Sequence, residues 1–382
     1  MVHLRRGGPQ HPRGRHAPHG RAGAGAPDRR DPGRVARDLR RASAGNRPHD
    51  PRGRGAARGG VVSAPVTQTR VVLEPAAQAF ADATAYPPFI YELDPEAARK
   101  VLDDVQSEPI ELLEVDEHWI VVPAAVGDVR VRIVRPAGAT GTLPVILYMH
   151  GGGWVLGGTT THDRLVRELA VGAHAALAFV EYDRSPEARY PVAIEQGYAV
   201  ARHIVREGAA HGLDPDRMAV VGDSVGGCMT AALTLMAEGR GDVRFVSQAM
   251  FYPVTDAGMD TGSYREFGEG YHLSAKAMAW FWDAYAPDLQ TRREAYASPL
   301  QAADSQLAGL PPALVIVDEA DVLRDEGEAY AARLRANGVA VTTVRYDGAI
   351  HDFMMLNPLS GTHATRAAIA QALAFLRDTL GP

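Results

Sequence analysis

From Leu143 onward the 382-residue chain alternates short, mostly uninterrupted apolar runs with helix-length segments, and this alternation leaves few folds open to it. The runs are Val145–Met149, Leu177–Glu181, Met218–Gly222, Gln248–Tyr252, Ala313–Val317 and Val341–Tyr346. A strand apolar on both faces must be covered on both, which is the situation of a parallel sheet between helices. The intervening segments Asp163–Gly172, Pro191–His211, Ser224–Glu238, Asp325–Asn337 and His363–Leu380 are long enough for crossover helices. Two earlier runs, His118–Val122 and Val129–Val134, are joined by the short turn Ala124 to Asp128 and predict an antiparallel edge. The expected class is therefore α/β, an eight-stranded, mostly parallel sheet flanked by helices. A content of 46% hydrophobic and 23% charged residues suits such a core.

The N-terminus follows different rules. Residues 1–60 hold fifteen Arg and four Asp, a net charge of +11, which leaves −17 for the remainder of a chain whose total is −6. They contain no Ile, Phe, Tyr, Trp or Lys and only two Leu, so they cannot bury enough surface to offset chain entropy. Residues 1–63 are expected to be a disordered Arg/Gly/Pro-rich tail. Clustered arginine can neutralise phosphates, but without interleaved aromatic residues or a basic module a solvated tail is the simpler reading, and no nucleic-acid partner is expected. The single cysteine, Cys228, excludes an intramolecular disulfide, and no Cys–His spacing suggests a zinc site. The longest apolar stretches are strand-length, so no membrane span is expected, and a cytoplasmic location is the simplest fit.

Residues 64–116 read as an N-terminal helical segment. Helical patterns run over Pro75 to Ala85 and Pro95 to Val105, the second opened by Asp94 as N-cap and Pro95 at the first helical position. With Phe80, Tyr86, Phe89 and Tyr91 around them, these helices could cap a pocket or simply pack. The catalytic domain is expected over 117–382, and a terminal strand and helix would be the surface for a homodimer.

Chemistry concentrates where the strands end. Met218–Gly222 runs into Gly222-Asp223-Ser224-Val225-Gly226 and then a helix, the G-x-S-x-G nucleophile elbow in its strand–turn–helix setting. A serine on such a strained turn stands clear of the sheet, at the positive end of a helix dipole. After Val145–Met149 comes His150-Gly151-Gly152-Gly153-Trp154, and an HGGG segment can offer backbone N–H groups to an oxyanion. It has neither the Lys-Ser/Thr of a Walker A loop nor the G-x-G-x-x-G of a dinucleotide site. A serine nucleophile needs a base, and His351 follows the last strand in Ile350-His351-Asp352-Phe353. The orienting acid lies among the carboxylates after Ala313–Val317. Asp325 and Glu326 suit the start of the next helix, while Asp318 and Asp321 both remain open.

Together, HGGGW, GDSVGG, DVLRDEG and IHDF resemble the hormone-sensitive-lipase-like branch of the α/β-hydrolases, microbial carboxylesterases and lipases with a helical cap. The resemblance covers roughly residues 70 to 382. It implies Ser224 as nucleophile, Asp321 as triad acid and His351 as base. It also implies an oxyanion hole from the N–H groups of Gly152, Gly153 and Val225, with Gly151 supporting the loop, and requires no metal or organic cofactor. Three departures stand out: Val225 where the family usually has alanine, Val322 where it usually has proline, and Tyr182-Asp183-Arg184-Ser185-Pro186-Glu187 for Y-R-L-A-P-E. The implied activity is hydrolysis of short- to medium-chain carboxylic esters, a small-molecule substrate class. An amidase or N-deacetylase using the same triad is the alternative, and a catalytically idle binding protein the reading outside enzymes.

Overall fold

The structure, a computed structural model, describes residues 71–381, so the expected tail over 1–63 lies outside the described residues. Among the described residues there is one sheet, built from β1 Val115–Val122, β2 Val129–Pro136, β3 Leu143–Met149, β4 Ala176–Glu181, β5 Leu213–Asp223, β6 Ser247–Phe251, β7 Ala313–Ala320 and β8 Val341–Ile350. Its strand order is β1-β2-β4-β3-β5-β6-β7-β8. The interior strands β3 and β6 are buried at every position, the polar Ser247 and Gln248 of β6 included, whereas the edge strands β1 and β8 carry exposed residues. The expected antiparallel edge is wider than a hairpin, because β2 opposes β1 on one side and β4 on the other.

Among the described residues, eight helices of eight or more residues accompany the sheet: α1 Pro75–Thr84, α2 Pro95–Gln106, α3 Asp163–Ala173, α4 Val192–Glu207, α5 Val225–Arg240, α6 Ala275–Tyr285, α7 Arg324–Ala336 and α8 His363–Leu380. Side-chain caps start several of them. Asp94 accepts from the Ala97 N–H at 2.9 Å, Ser274 from Ala277 at 3.1 Å and Thr362 from Thr365 at 3.2 Å; each such cap is worth about 1 kcal/mol. α3 and α8 pack together, while Ala231 and Leu235 of α5 share a core cluster with Tyr330, Ala331 and Leu334 of α7. Every residue of α5 from Val225 to Ala237 is buried, the mark of a central helix rather than an amphipathic surface one.

This topology selects one end of the sheet. The connection through α3 returns to β4 on one side of β3, whereas the connection through α4 crosses to β5 on the other. The loops leaving β3 and β5 therefore diverge from neighbouring strand ends, and ligands in open α/β sheets bind in the crevice this creates. Further along, β7 and β8 pair in parallel until Ala320 stands opposite Ile350. The next residue on each strand is Asp321 and His351. The apolar runs suggested shorter strands, ending at Val317 and Tyr346; the ladder continues through polar residues on both.

The N-terminal helices are fastened to the same end. Arg99 of α2 donates to the carbonyls of Val155 and Ser185 at 2.8 and 3.0 Å, and Gln106 donates to those of Thr161 and Met355 at 2.6 and 3.0 Å. Before α1, Glu74 accepts from the first N–H groups of α8, those of His363 and Ala364, at 3.0 and 2.8 Å. Among the described residues no helix is long and apolar enough to cross a membrane.

Candidate active site

Ser224 sits between β5 and α5 with φ +54° and ψ −120°, a left-handed backbone that a non-glycine residue adopts only when its surroundings enforce it. The enforcement is visible in the packing. A Cβ on Gly226 would lie 2.0 Å from the Met149 carbonyl oxygen, and one on Gly222 would lie 2.2 Å from the Gly226 oxygen. Only glycine at both positions lets the turn close this tightly. The Ser224 N–H is held by the Phe251 carbonyl at 2.8 Å, and its own carbonyl accepts from Val254 at 3.1 Å.

The hydroxyl so presented meets two residues from distant parts of the chain. His351 Nε2 lies 2.9 Å from Ser224 Oγ, and His351 Nδ1 lies 2.7 Å from Asp321 Oδ2. All three side chains are nearly fully buried. Asp321 is further fixed by accepting from the Leu323 N–H at 3.0 Å. Asp318, the other open candidate, is inside β7 with neither carboxylate oxygen hydrogen-bonded. Burial and the neighbouring Asp321 raise its pKa well above the carboxylate range, which favours the neutral acid. Burial alone pushes the His351 imidazole down, but the carboxylates of Asp321 and Asp352 outweigh it and raise the pKa.

The glycine loop after β3 lies against the elbow. Gly151 N–H donates to Asp223 Oδ1 at 3.1 Å, and the turn closes through the Gly152 carbonyl, which accepts from Val155 and Leu156 at 3.1 and 2.8 Å. Gly153 has φ +62°, and a Cβ there would fall 2.0 Å from the Phe281 ring. The next residue, Trp154, is fully buried and stacks on Tyr285 of α6, ring centroids 4.0 Å apart at 4°. Such a pair contributes about 0.5–1.5 kcal/mol beyond its buried area. The aromatic residues after Ser274 thus hold the loop from one side, while α2 holds it from the other.

Beneath the loop is a polar network that the motifs did not disclose. Asp223 accepts from the Tyr148 hydroxyl at 2.6 Å and faces His162 Nε2 at 3.2 Å, with both carboxylate and imidazole fully buried. His162 reads in sequence as a helix-end residue; its partner is 61 residues away, and no local spacing announces the contact. Burial pushes the Asp223 carboxyl up, but His162 and Tyr148 hold it below its ordinary value. Burial likewise pushes His162 down, and Asp223 more than reverses this. Asp223→Ala is expected to cost about 3–5 kcal/mol, because it leaves a buried charge without its counter-charge; chemical denaturation measures this. The stability brought by His162 is full below the unfolded histidine pKa of about 6.5 and fades as pH rises through the higher folded value. That brought by Asp223 fades as pH falls through its lowered folded pKa, below the unfolded value of about 3.9. An unchanged midpoint in the variant would argue against a paired network.

Cys228 is buried on α5, where burial raises its thiol pKa and it donates to the Ala297 carbonyl at 3.2 Å. It packs as a small hydrophobic residue.

A family model described as alpha/beta hydrolase fold matches residues 146–355. The carboxylesterase NlhH of Mycobacterium tuberculosis is 34% identical over 287 residues, 75% of this chain and 89% of its own length. An ethyl acetate hydrolase of Pseudomonas putida is 37% identical over 232 residues, 60% of this chain and 72% of its own. Among solved structures, a thermostable esterase from Pseudomonas putida ECU1011 superimposes with a TM-score of 0.80 at 44% identity, covering 81% of this chain and 98% of that one.

Proposed function

The chain belongs to the α/β-hydrolase family, in its hormone-sensitive-lipase-like branch, and is a carboxylic ester hydrolase; from that premise we propose that it cleaves short- to medium-chain esters by two-step acyl transfer through Ser224. The observation that carries the reading is the unbroken chain of contacts from Ser224 Oγ to His351 to Asp321, at 2.9 and 2.7 Å.

In the first step His351 Nε2 accepts the Ser224 hydroxyl proton as Oγ bonds to the ester carbonyl carbon. The carbonyl electron pair moves to oxygen. That oxyanion rests on the N–H groups of Gly152, Gly153 and Val225, the last being one of the helix N–H groups that have no partner within α5. Asp321 stabilises the imidazolium and fixes the tautomer in which Nδ1 carries a hydrogen. Collapse of the intermediate breaks the bond to the alcohol oxygen, which takes the Nε2 proton and leaves. Water then gives a proton to Nε2 as it attacks the acyl-enzyme, and the acid departs with Ser224 restored.

The preference for small esters draws support from a relative that acts on ethyl acetate and from the aromatic side chains bordering this end, Phe281 beside Gly153 and Phe80 against His272. In this reading the helices α1 and α2 cap the site, and the protein works in the cytoplasm. The test is hydrolysis of p-nitrophenyl esters from acetyl to palmitoyl beside matched anilides, with wild type and Ser224→Ala. Ser224-dependent cleavage should peak among the short acyl chains and be far slower on anilides. A maximum at palmitoyl, or a preference for anilides, would overturn the substrate assignment.

A further inference from the structure

The edge of His351 that faces Ser224 has a second neighbour. Asp352 Oδ1 lies 3.4 Å from His351 Nε2, and this oxygen is buried without a hydrogen-bond partner. The backbone at Asp352 is left-handed, φ +64°, a conformation that Asp, Asn and Gly tolerate better than other residues. The Asp352 carbonyl closes the turn by accepting from Met355 and Leu356 at 2.9 and 3.0 Å. An unpaired carboxylate oxygen thus stands beside the nitrogen that must gain and lose the catalytic proton.

We propose that Asp352 is a positioning residue for the imidazolium, a second carboxylate that serves the Nε2 edge of His351 as Asp321 serves the Nδ1 edge. The proposal rests on the acyl-transfer reading above. In the neutral resting state Nε2 presents a lone pair, which the carboxylate repels; once protonated, Nε2 presents N–H⁺, which it attracts. Asp352 therefore acts on the protonated form and competes with Ser224 Oγ for its proton. Other groups also face this imidazole. Asp321 and Asp318 approach from β7 and the loop after it, the Tyr252 ring packs edge-on at 5.0 Å, and His272, paired with Phe80, adds a further imidazole. Burial pushes His272 down to about 3, so it carries no opposing charge near neutrality. Asp352 itself faces His351, Asp223, His162 and Asp321; burial pushes it up and the His351 charge draws it back to about 6, so the carboxylate is ionised when the imidazolium it serves is present.

The signature is in the pH profile. Removing one carboxylate at this range should lower the pKa of His351 by about 1 unit or more. The acid limb of kcat/KM in Asp352→Asn then shifts downward by that amount. A weaker base returns only part of its pKa change as rate, so the plateau falls while the rate well below the wild-type midpoint rises, and the two profiles cross. Asp352→Gly suits the same backbone and removes charge and side chain together, so it should move the midpoint equally. A purely steric or structural role would scale the whole profile and leave the midpoint in place in both variants, which overturns the proposal. Ser224→Ala is measured alongside. If that variant stays active, the acyl-transfer reading itself has failed; if it is inactive and the midpoints do not move, only the role of Asp352 is lost.

Discussion

Replacing Ser224 or His351 with alanine is expected to cut turnover of a p-nitrophenyl ester by roughly 10⁴–10⁶, with the double variant no worse than the more damaged single one. The reason for non-additivity is geometric. The hydroxyl is a poor nucleophile unless its proton passes to Nε2 at 2.9 Å, and the imidazole has no task without that hydroxyl. Removing either therefore removes the same step. On the proposed mechanism, what survives is the catalysis due to the N–H groups of the glycine loop and to substrate binding. Ser224→Ala costs little structure, since the turn is enforced by Gly222 and Gly226 rather than by the hydroxyl. Near-normal turnover in both single variants, or losses that multiply in the double, would exclude a unit composed of these two residues.

Asp321→Asn should lower turnover about 10⁴-fold in a protein that still folds. An amide at this position can donate as well as accept, so it no longer selects the tautomer with hydrogen on Nδ1, and it supplies no charge to the imidazolium. Asp318→Asn is the matched comparison. Asp318 is fully buried, unbonded and displaced toward the neutral acid, so exchanging it for an amide of the same shape should keep turnover within about tenfold. Single-turnover measurements on both variants at one pH separate the cases. The reverse ranking would transfer the orienting role from Asp321 to Asp318.

Why the residues read without the family resemblance left these two carboxylates undecided can be traced to the end of β7. An apolar run stops at Val317, so Asp318 looks like the first loop residue, the usual place for a catalytic side chain. The strand in fact continues to Ala320 because β8 continues beside it, and backbone pairing tolerates Asp318 and Glu319 where apolar periodicity does not. β5 hid its length in the same way. It begins at Leu213 and passes through Asp214, Asp216 and Arg217, with the register to β3 shifting before Val145. The eight strands and the elbow were legible because each has a local signature in apolar runs, glycine spacing and strand–turn–helix order. The Asp223–His162–Tyr148 network, the Arg99 and Gln106 anchors and the place of Asp352 beside Nε2 have none. They join residues brought together by the topology of the sheet, and polar side chains on a helix otherwise read as solvated.

The crowding at the elbow also bears on how such a protein diverges. Around Ser224 the neighbours of Gly222 and Gly226 are main-chain atoms at distances that no added carbon can share, so descent with modification has almost no room there. The aromatic side chains nearby are another matter, because Phe80, His272 and Phe281 meet each other or the glycine loop through side chains, and side chains can be exchanged. A lineage built on this scaffold can therefore wander far in what it accepts while its reaction stays fixed, and a mutant library gains most by sparing the turn and varying the helices around it.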